Sequence, residues 1–304
     1  MALITIVIPI IKFNNYSVRV ISGLPNCPNY GNLEFLFVVS DKNIERQLLE
    51  YIHEFKNSYN VYVANNYSSN YLRSKAKFAK TEFVYFQDCD DYADYAYLNE
   101  FCAVNILSDE YVHCFNVSKK FYDVNGVLLK EKNIFHITEG EISDIQYIPT
   151  CVYSKIIPTK AVWKIEFPNL PFTQDWAISY QLFKEIRHKY INKVSYIYNN
   201  YPTSSSQSSL DTIYRLKRVF SYSRTLIKEY SDKNLNYESD FLKLKYNTTL
   251  LYRFAKLNVK LSPYRPSFRL ISHLSLRNLM SLLYRTTHKY IVTGKLCIKI
   301  AFGL

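Results

Sequence analysis

The run "LITIVIPI", Leu3 to Ile10, constrains the fold more than any other stretch of the chain. It is apolar except for Thr5, rich in β-branched side chains, and carries Pro9 near its end. Proline and β-branching disfavour a helix. A strand without polar alternation is apolar on both faces, so both must be covered, as in a parallel sheet layered between helices. The signature returns in "LEFLFVVSD", Leu33 to Asp41, and "FVYFQD", Phe83 to Asp88, and in shorter form in "NVYVAN". Between these runs, "NIERQLLEYIHEF" places Ile44, Leu48, Leu49, Ile52 and Phe55 at helical spacing, and "NYLRSKAKFAK" and "YLNEFCAVNIL" also read as helices. Strands alternating with helices over residues 1–110 predict βαβ units. The expected fold class is therefore α/β, a Rossmann-like, mostly parallel central sheet flanked by helices.

Farther along, "EYVHCFNVSKKFYDVNGVLLK" reads as a β-hairpin turning at Asn125-Gly126, a pair suited to a tight turn. "FPNLPFTQDWAISYQLFKEIR" gives a proline-bounded loop and then a helix starting near Thr173. "VSYIYNNY" is a further strand and "PTSSSQSS" a serine-rich loop. Beyond Leu210 the pattern is helical, with Ile213, Leu216, Phe220 and Ile227 near one face. These shifts divide the chain into a domain over 1–209 and a helical, basic region over 210–304.

Charge follows the same division. Residues 241–304 hold 12 Lys or Arg and no acid, and the other 26 basic residues balance the 26 acidic ones. The whole net charge of +12 therefore sits in the last segment. Mixed with Leu, Tyr and Phe, it suits either an anionic membrane surface or a helical subdomain with solvated charges. No nucleic-acid-binding motif accompanies it. Only 6 Gly are present, which argues against a glycine-rich phosphate loop. The cysteines at 27, 89, 102, 114, 151 and 297 form no CxxC pair, which argues against a zinc ribbon and for reduced thiols in the cytosol. "MALITIVIPII" lacks the basic start and small-residue cleavage site of a secretory leader. No uninterrupted apolar window is long enough for a transmembrane helix.

The chemistry concentrates in "FVYFQDCDDY". Asp88, Asp90 and Asp91 follow a strand within four residues, and like charges so close are costly without a cation. Hard divalent ions such as Mn²⁺ or Mg²⁺ take oxygen ligands and often bridge carboxylates to substrate phosphates. The other reading is a solvated acidic turn, or Asp90 and Asp91 capping the next helix. In doubly wound sheets ligands bind at strand carboxyl ends, so Asp41 and the Asp88–Asp91 cluster can share one crevice.

"ITIVIPI", "LFVVSD" and "FVYFQDCDD" occur in the order and at about the separations found in the family 2 glycosyltransferases, which have the GT-A fold. "AKTEFVYF" also resembles that family's lead into its Asp-x-Asp motif, with Thr81 in place of its glycine. The resemblance spans roughly residues 3–210. It implies that Pro9 shapes the nucleotide pocket and that Asp41 bonds the base, usually a uracil. Arg73 would stand near the diphosphate, Asp88 and Asp90 would flank the ribose and phosphates, and Asp90 or Asp91 would hold the cation. In "FTQDWAISYQL", Asp175 matches the family's acceptor-deprotonating aspartate, and Gln174 replaces its glutamate. A bare helix-start acid is the alternative for Asp175. "SYIYNNYPTSSSQSS" resembles the segment after the acceptor helix. No His occurs between His188 and His273, so the third metal ligand of some relatives has no counterpart. Ser40 stands where the family has the first Asp of a pair, and "IIKFNNY" replaces its Tyr-Asn.

The resemblance implies an inverting transferase. It would move one sugar from a nucleotide-diphosphate sugar, a UDP-sugar, to a glycan or lipid-linked acceptor in capsule or lipopolysaccharide synthesis. It would sit peripherally on the inner face of the cell membrane, held by residues 241–304. The departures support the alternative of a degenerate, non-catalytic membrane-associated scaffold. Nucleotidyl transfer needs a glycine-rich basic loop where this chain has "IIKFNNYSVRV".

Overall fold

A computed structural model describes residues 2–105, 107–170, 174–201 and 213–243, with backbone alone over 213–220. The expected membrane-contacting segment beyond residue 243 and the serine-rich loop lie outside the described residues. The chain divides into two compact units, 1–207 and 208–304.

In the first unit, β1 (Ile4–Ile10), β2 (Leu33–Val39), β3 (Tyr59–Val63) and β4 (Phe83–Phe86) pair in parallel in the order β3-β2-β1-β4. Every residue of β1 is buried, as its unbroken apolar run requires. Pro9 is tolerated in this central strand because β4 pairs only with Ile4–Val7; beyond them only β2 remains alongside.

The helices start on side-chain caps. α1 (Asn15–Ile21) begins on Asn14, whose Oδ1 accepts the Tyr16 and Ser17 amides. α2 (Lys42–Tyr51) begins on Asp41, α3 (Ser69–Ser74) on Ser68, and α4 (Tyr95–Val104) on Asp94. α2 is shorter than its pattern implied. Leu49 is exposed, and Phe55 packs into the core from beyond the helix end.

Past β4 the sheet departs from the parallel expectation and curls. β6 (Tyr111–Tyr122) and β10 (Arg187–Asn200) are parallel, but β9 (Lys155–Pro158) inserts antiparallel between β4 and β6. The two-residue β5 (Tyr92–Ala93) and β8 (Gly140–Ile142) pair antiparallel with β10. β7 (Leu128–Asn133) returns along β6 as the expected hairpin, with Gly126 at φ +79 in its turn. β10 bulges against β6 between Ile191 and Tyr196. α5 (Thr159–Lys164) and α6 (Gln174–Glu185) complete the unit. α6 buries Ile178, Tyr180 and Leu182 and carries Asp175 in its first turn.

In the second unit, α7 (Ile213–Asp232) ends in a turn where Asn234 takes φ +58, a left-handed conformation asparagine accepts. The Ser239 hydroxyl meets Ser231 Oγ at 2.8 Å, joining the next helical stretch to α7. No helix among the described residues is long and apolar enough to cross a membrane.

A candidate donor and acceptor site built around Arg73

The β4 strand ends at Phe86, and the chain then turns through Gln87-Asp88-Cys89-Asp90-Asp91 before β5. The turn closes through the Asp91 amide, which donates to the Asp88 carbonyl at 3.1 Å. β10 clamps it from alongside. The Tyr196 hydroxyl accepts the Asp88 amide at 3.0 Å and donates to Asp91 Oδ2 at 2.8 Å. The Asn199 amide donates to Asp91 Oδ1 at 2.7 Å, and its side chain bonds the Asp90 carbonyl. Gln87, held by the Tyr95 hydroxyl, donates to the Asp91 carbonyl.

The three carboxylates therefore play different parts. Asp91, an expected cation ligand, is 1% exposed with both oxygens committed to β10. It anchors the turn, and neither oxygen is left free for the expected cation. The expected alternative of a solvated turn fails for the same reason. The expected helix-capping role of Asp90 and Asp91 falls to Asp94, which accepts the Tyr97 amide at 2.9 Å. Burial, with the charges of Asp90 and Asp88, pushes the Asp91 carboxyl well up. Asp90 remains part-exposed, raised to about 6 by burial and by the Asp88 charge.

Arg73, reaching in from α3, is the positive group among these acids. It is 5% exposed. Its Nη2 donates to Asp88 Oδ1 at 2.5 Å and its Nη1 to Asp175 Oδ1 at 3.0 Å. Burial opposes its charge, but the two carboxylates outweigh it and hold the guanidinium protonated. Asp175 is raised, burial outweighing the stabilising charge of Arg73. The structure thus brings Arg73, Asp88, Asp90 and Asp175 together from three separate elements.

Asp41 stands apart as the cap of α2. Its Oδ1 accepts the amides of Asn43 at 2.8 Å and Ile44 at 3.0 Å. Its Oδ2 accepts the hydroxyls of Ser40 and Tyr67, each at 3.0 Å. These donors, the Ile44 amide foremost, hold its carboxyl below the ordinary range. Ser40 is buried, and its one hydroxyl proton is shared between Asp41 Oδ2 and the Ile11 carbonyl at 2.8 Å, tying the ends of β1 and β2. Pro9 lies near the end of β1, one strand from this cap.

The donor chemistry fits a hard divalent cation only in part-protein form. Among the described residues no group of three His, Cys, Asp or Glu side chains is arranged to hold a metal. Asp90 and the second oxygen of Asp88 could serve an ion that completes its shell with phosphate and water oxygens, as Mg²⁺ and Mn²⁺ commonly do.

Tyr67, Tyr196 and Asn199 escaped the sequence reading. For the last two the only pointer was their place in "SYIYNNYPTSSSQSS", the segment matched to the stretch after the acceptor helix. Lys155 also escaped it. It is fully buried in β9, and its Nζ donates to Ser179 Oγ of α6 at 2.7 Å.

The fold is a mixed α/β one, with a curled central sheet flanked by helices, similar to that of the S. aureus TarS structures. Among solved structures, the chain is similar to S. aureus TarS 1–349 in complex with UDP-GlcNAc. The TM-score is 0.59 at 19% identity, covering 85% of this chain and 76% of that one. The complex of TarS 1–349 with UDP gives 0.54 at 18% identity, covering 92% and 78%. The longer TarS structure gives 0.57 at 17% identity, covering 91% of this chain and 50% of that one. No protein-family model and no curated protein matches the sequence.

Proposed function

We propose that this protein is an inverting glycosyltransferase that moves one sugar from a nucleotide-diphosphate sugar, a UDP-sugar, to a glycan or lipid-linked acceptor. Bacterial surface polysaccharide is the product class that its sequence resemblance favours. The observation carrying the reading is the clasp of Arg73 between Asp88 and Asp175. It joins the turn after β4, where a donor would lie, to the start of α6, where an acceptor would lie. UDP-GlcNAc and UDP bound to a protein of the same fold support the donor class.

In this reading Asp175 accepts the proton of the acceptor hydroxyl. The oxygen forms a bond to the anomeric carbon from the face opposite the diphosphate, whose bond breaks with its electron pair. A carboxylate partly withdrawn from water is a stronger base than a surface one, which suits that task. Arg73 fixes the direction of the Asp175 carboxylate and offers positive charge near the leaving group. Asp90, with Asp88, would hold a divalent cation, Mn²⁺ or Mg²⁺, which supplies Lewis-acid stabilisation to a departing diphosphate. Asp41 would bond the base, and Pro9 would shape the pocket. Residues 241–304 would hold the enzyme at the inner face of the cell membrane.

Asp175→Asn keeps the side chain's size and its contact with Arg73. Turnover should fall ~10²- to 10⁴-fold in a protein that still folds, its melting temperature lowered because Arg73 loses one of two countercharges. Full activity in this variant removes the base assignment. Titration calorimetry with UDP and UDP-sugars, with and without Mn²⁺, tests the donor site. Metal-dependent binding is expected, and no binding of any nucleotide overturns the reading.

A second reading, a non-catalytic scaffold, is favoured by the four donors already filling Asp41. Donor hydrolysis without acceptor, followed by chromatography, separates the two. Slow release of sugar is expected of an enzyme and none of a scaffold.

A further inference from the structure

The β6–β7 hairpin carries apolar side chains where a soluble turn has no use for them. Val124 is 81% exposed and Leu129 66%, and Val127 and Leu128 beside them are also exposed. The turn is well formed. Asp123 Oδ1 accepts the amides of Asn125 at 2.9 Å and Val127 at 2.8 Å. The register slips between Phe121 and Tyr122, so Leu129 is an unpaired extra residue that bulges from the edge. Four exposed apolar residues on a projecting tip form a patch of the kind that marks an interaction surface.

Charge is sorted on the strands behind the tip. Lys119 pairs with Lys132 and Phe121 with Lys130, and alternation puts all four on one face. The ammonium groups of Lys119 and Lys132 both lie over the Phe121 ring, at 5.0 and 5.5 Å. Glu131 is on the other face, bonded by Ser118 Oγ at 2.5 Å and near Lys120 at 3.9 Å. The paired strands thus present lysines on one face, and their one acid, Glu131, is turned to the other beside Lys120. Lysines alone could merely protect an edge strand from pairing, but a protected edge does not place Val and Leu at its tip. A second copy of the chain would set this basic face against itself.

We propose that this hairpin docks the protein on an anionic lipid bilayer, its Val and Leu tip entering the headgroup region and Lys130 and Lys132 meeting lipid phosphates. Apolar insertion combined with basic side chains is the chemistry of interfacial membrane binding. The hairpin grows directly from the candidate site. Lys119 and Lys120 pair with Tyr198 and Asn199 of β10, and Asn199 holds Asp91 and Asp90. A docked hairpin would hold that site close to the bilayer. The proposal stands whether or not the site transfers sugar, and it is separate from any contribution of residues 241–304.

The test uses the full chain and vesicles of phosphatidylcholine with and without 30% phosphatidylglycerol, read by flotation. Wild type should float with the anionic vesicles. Val127→Asp with Leu129→Asp should lower partitioning at least tenfold, and Lys130→Gln with Lys132→Gln should remove the dependence on phosphatidylglycerol. Both variants should keep the wild-type melting curve and nucleotide affinity. In a Leu129→Trp variant, the added indole should be quenched by lipids brominated in their acyl chains. Unchanged flotation of the aspartate variant, or an unquenched indole, overturns the proposal. So does self-association that disappears in the aspartate variant, which would make a second copy the occupant.

Discussion

Tyr67 shows how a single hydroxyl can govern a residue proposed to bind a nucleobase. Its OH occupies Asp41 Oδ2, so a nucleobase N–H must displace it or share that oxygen. Tyr67→Phe keeps the exposed ring and removes the competitor. Uridine nucleotide affinity should rise severalfold, the equivalent of the ~1 kcal/mol of one hydrogen bond, measured by calorimetry. Lys155 gives a contrasting case. Burial pushes its pKa down, and Ser179 Oγ is the only hydrogen-bond acceptor it meets among the described residues. Ser179→Ala should therefore cost about 1–3 kcal/mol in denaturant unfolding by leaving an ammonium without that acceptor. Lys155→Met should cost less than Ser179→Ala, since it removes the polar group itself. A lysine inside "SKIIPTK" looks like any surface lysine, and only the antiparallel insertion of β9 buries it.

At the scale of elements, legibility followed self-sufficiency. β1, β2 and β4 were readable because burial on both faces leaves its mark within each strand. The hairpin was readable from Asn125-Gly126, whose glycine takes the positive φ that its turn requires. Gly126→Ala should destabilise by ~1 kcal/mol, lowering the denaturant midpoint without changing the slope. β9 and β5 were not readable, since four and two residues carry no period and their partners are distant in sequence. The same limit explains the site. Asp88, Asp90 and Asp175 stood out as acids at element ends. That Asp91 turns inward depends on the Tyr196 hydroxyl and the Asn199 amide, which lie more than 100 residues away in sequence.

For the molecule as a whole, acid should act through buried imidazoles. His188 is fully buried, and burial, reinforced by Lys155, pushes it down to about 3. The unfolded chain binds that proton near 6.5, so this contribution to stability is intact above about 6.5 and falls as the pH drops towards 3. The full loss is about 5 kcal/mol, spread over that window. Asp90, raised to about 6, works in the opposite direction over part of the range. The clean readout is therefore the difference between wild type and His188→Leu. The wild type should lose stability relative to the variant as the pH falls from 6.5 to 5.

If the protein transfers sugar as proposed, the guanidinium of Arg73, shared between Asp88 and Asp175, would bear on the order in which two substrates arrive. An incoming diphosphate would compete for the same charge and loosen the hold on Asp175, readying the second half of the centre only once the first is filled. Steady-state kinetics should then be sequential with the donor leading. Free UDP should be competitive against the donor and mixed against the acceptor.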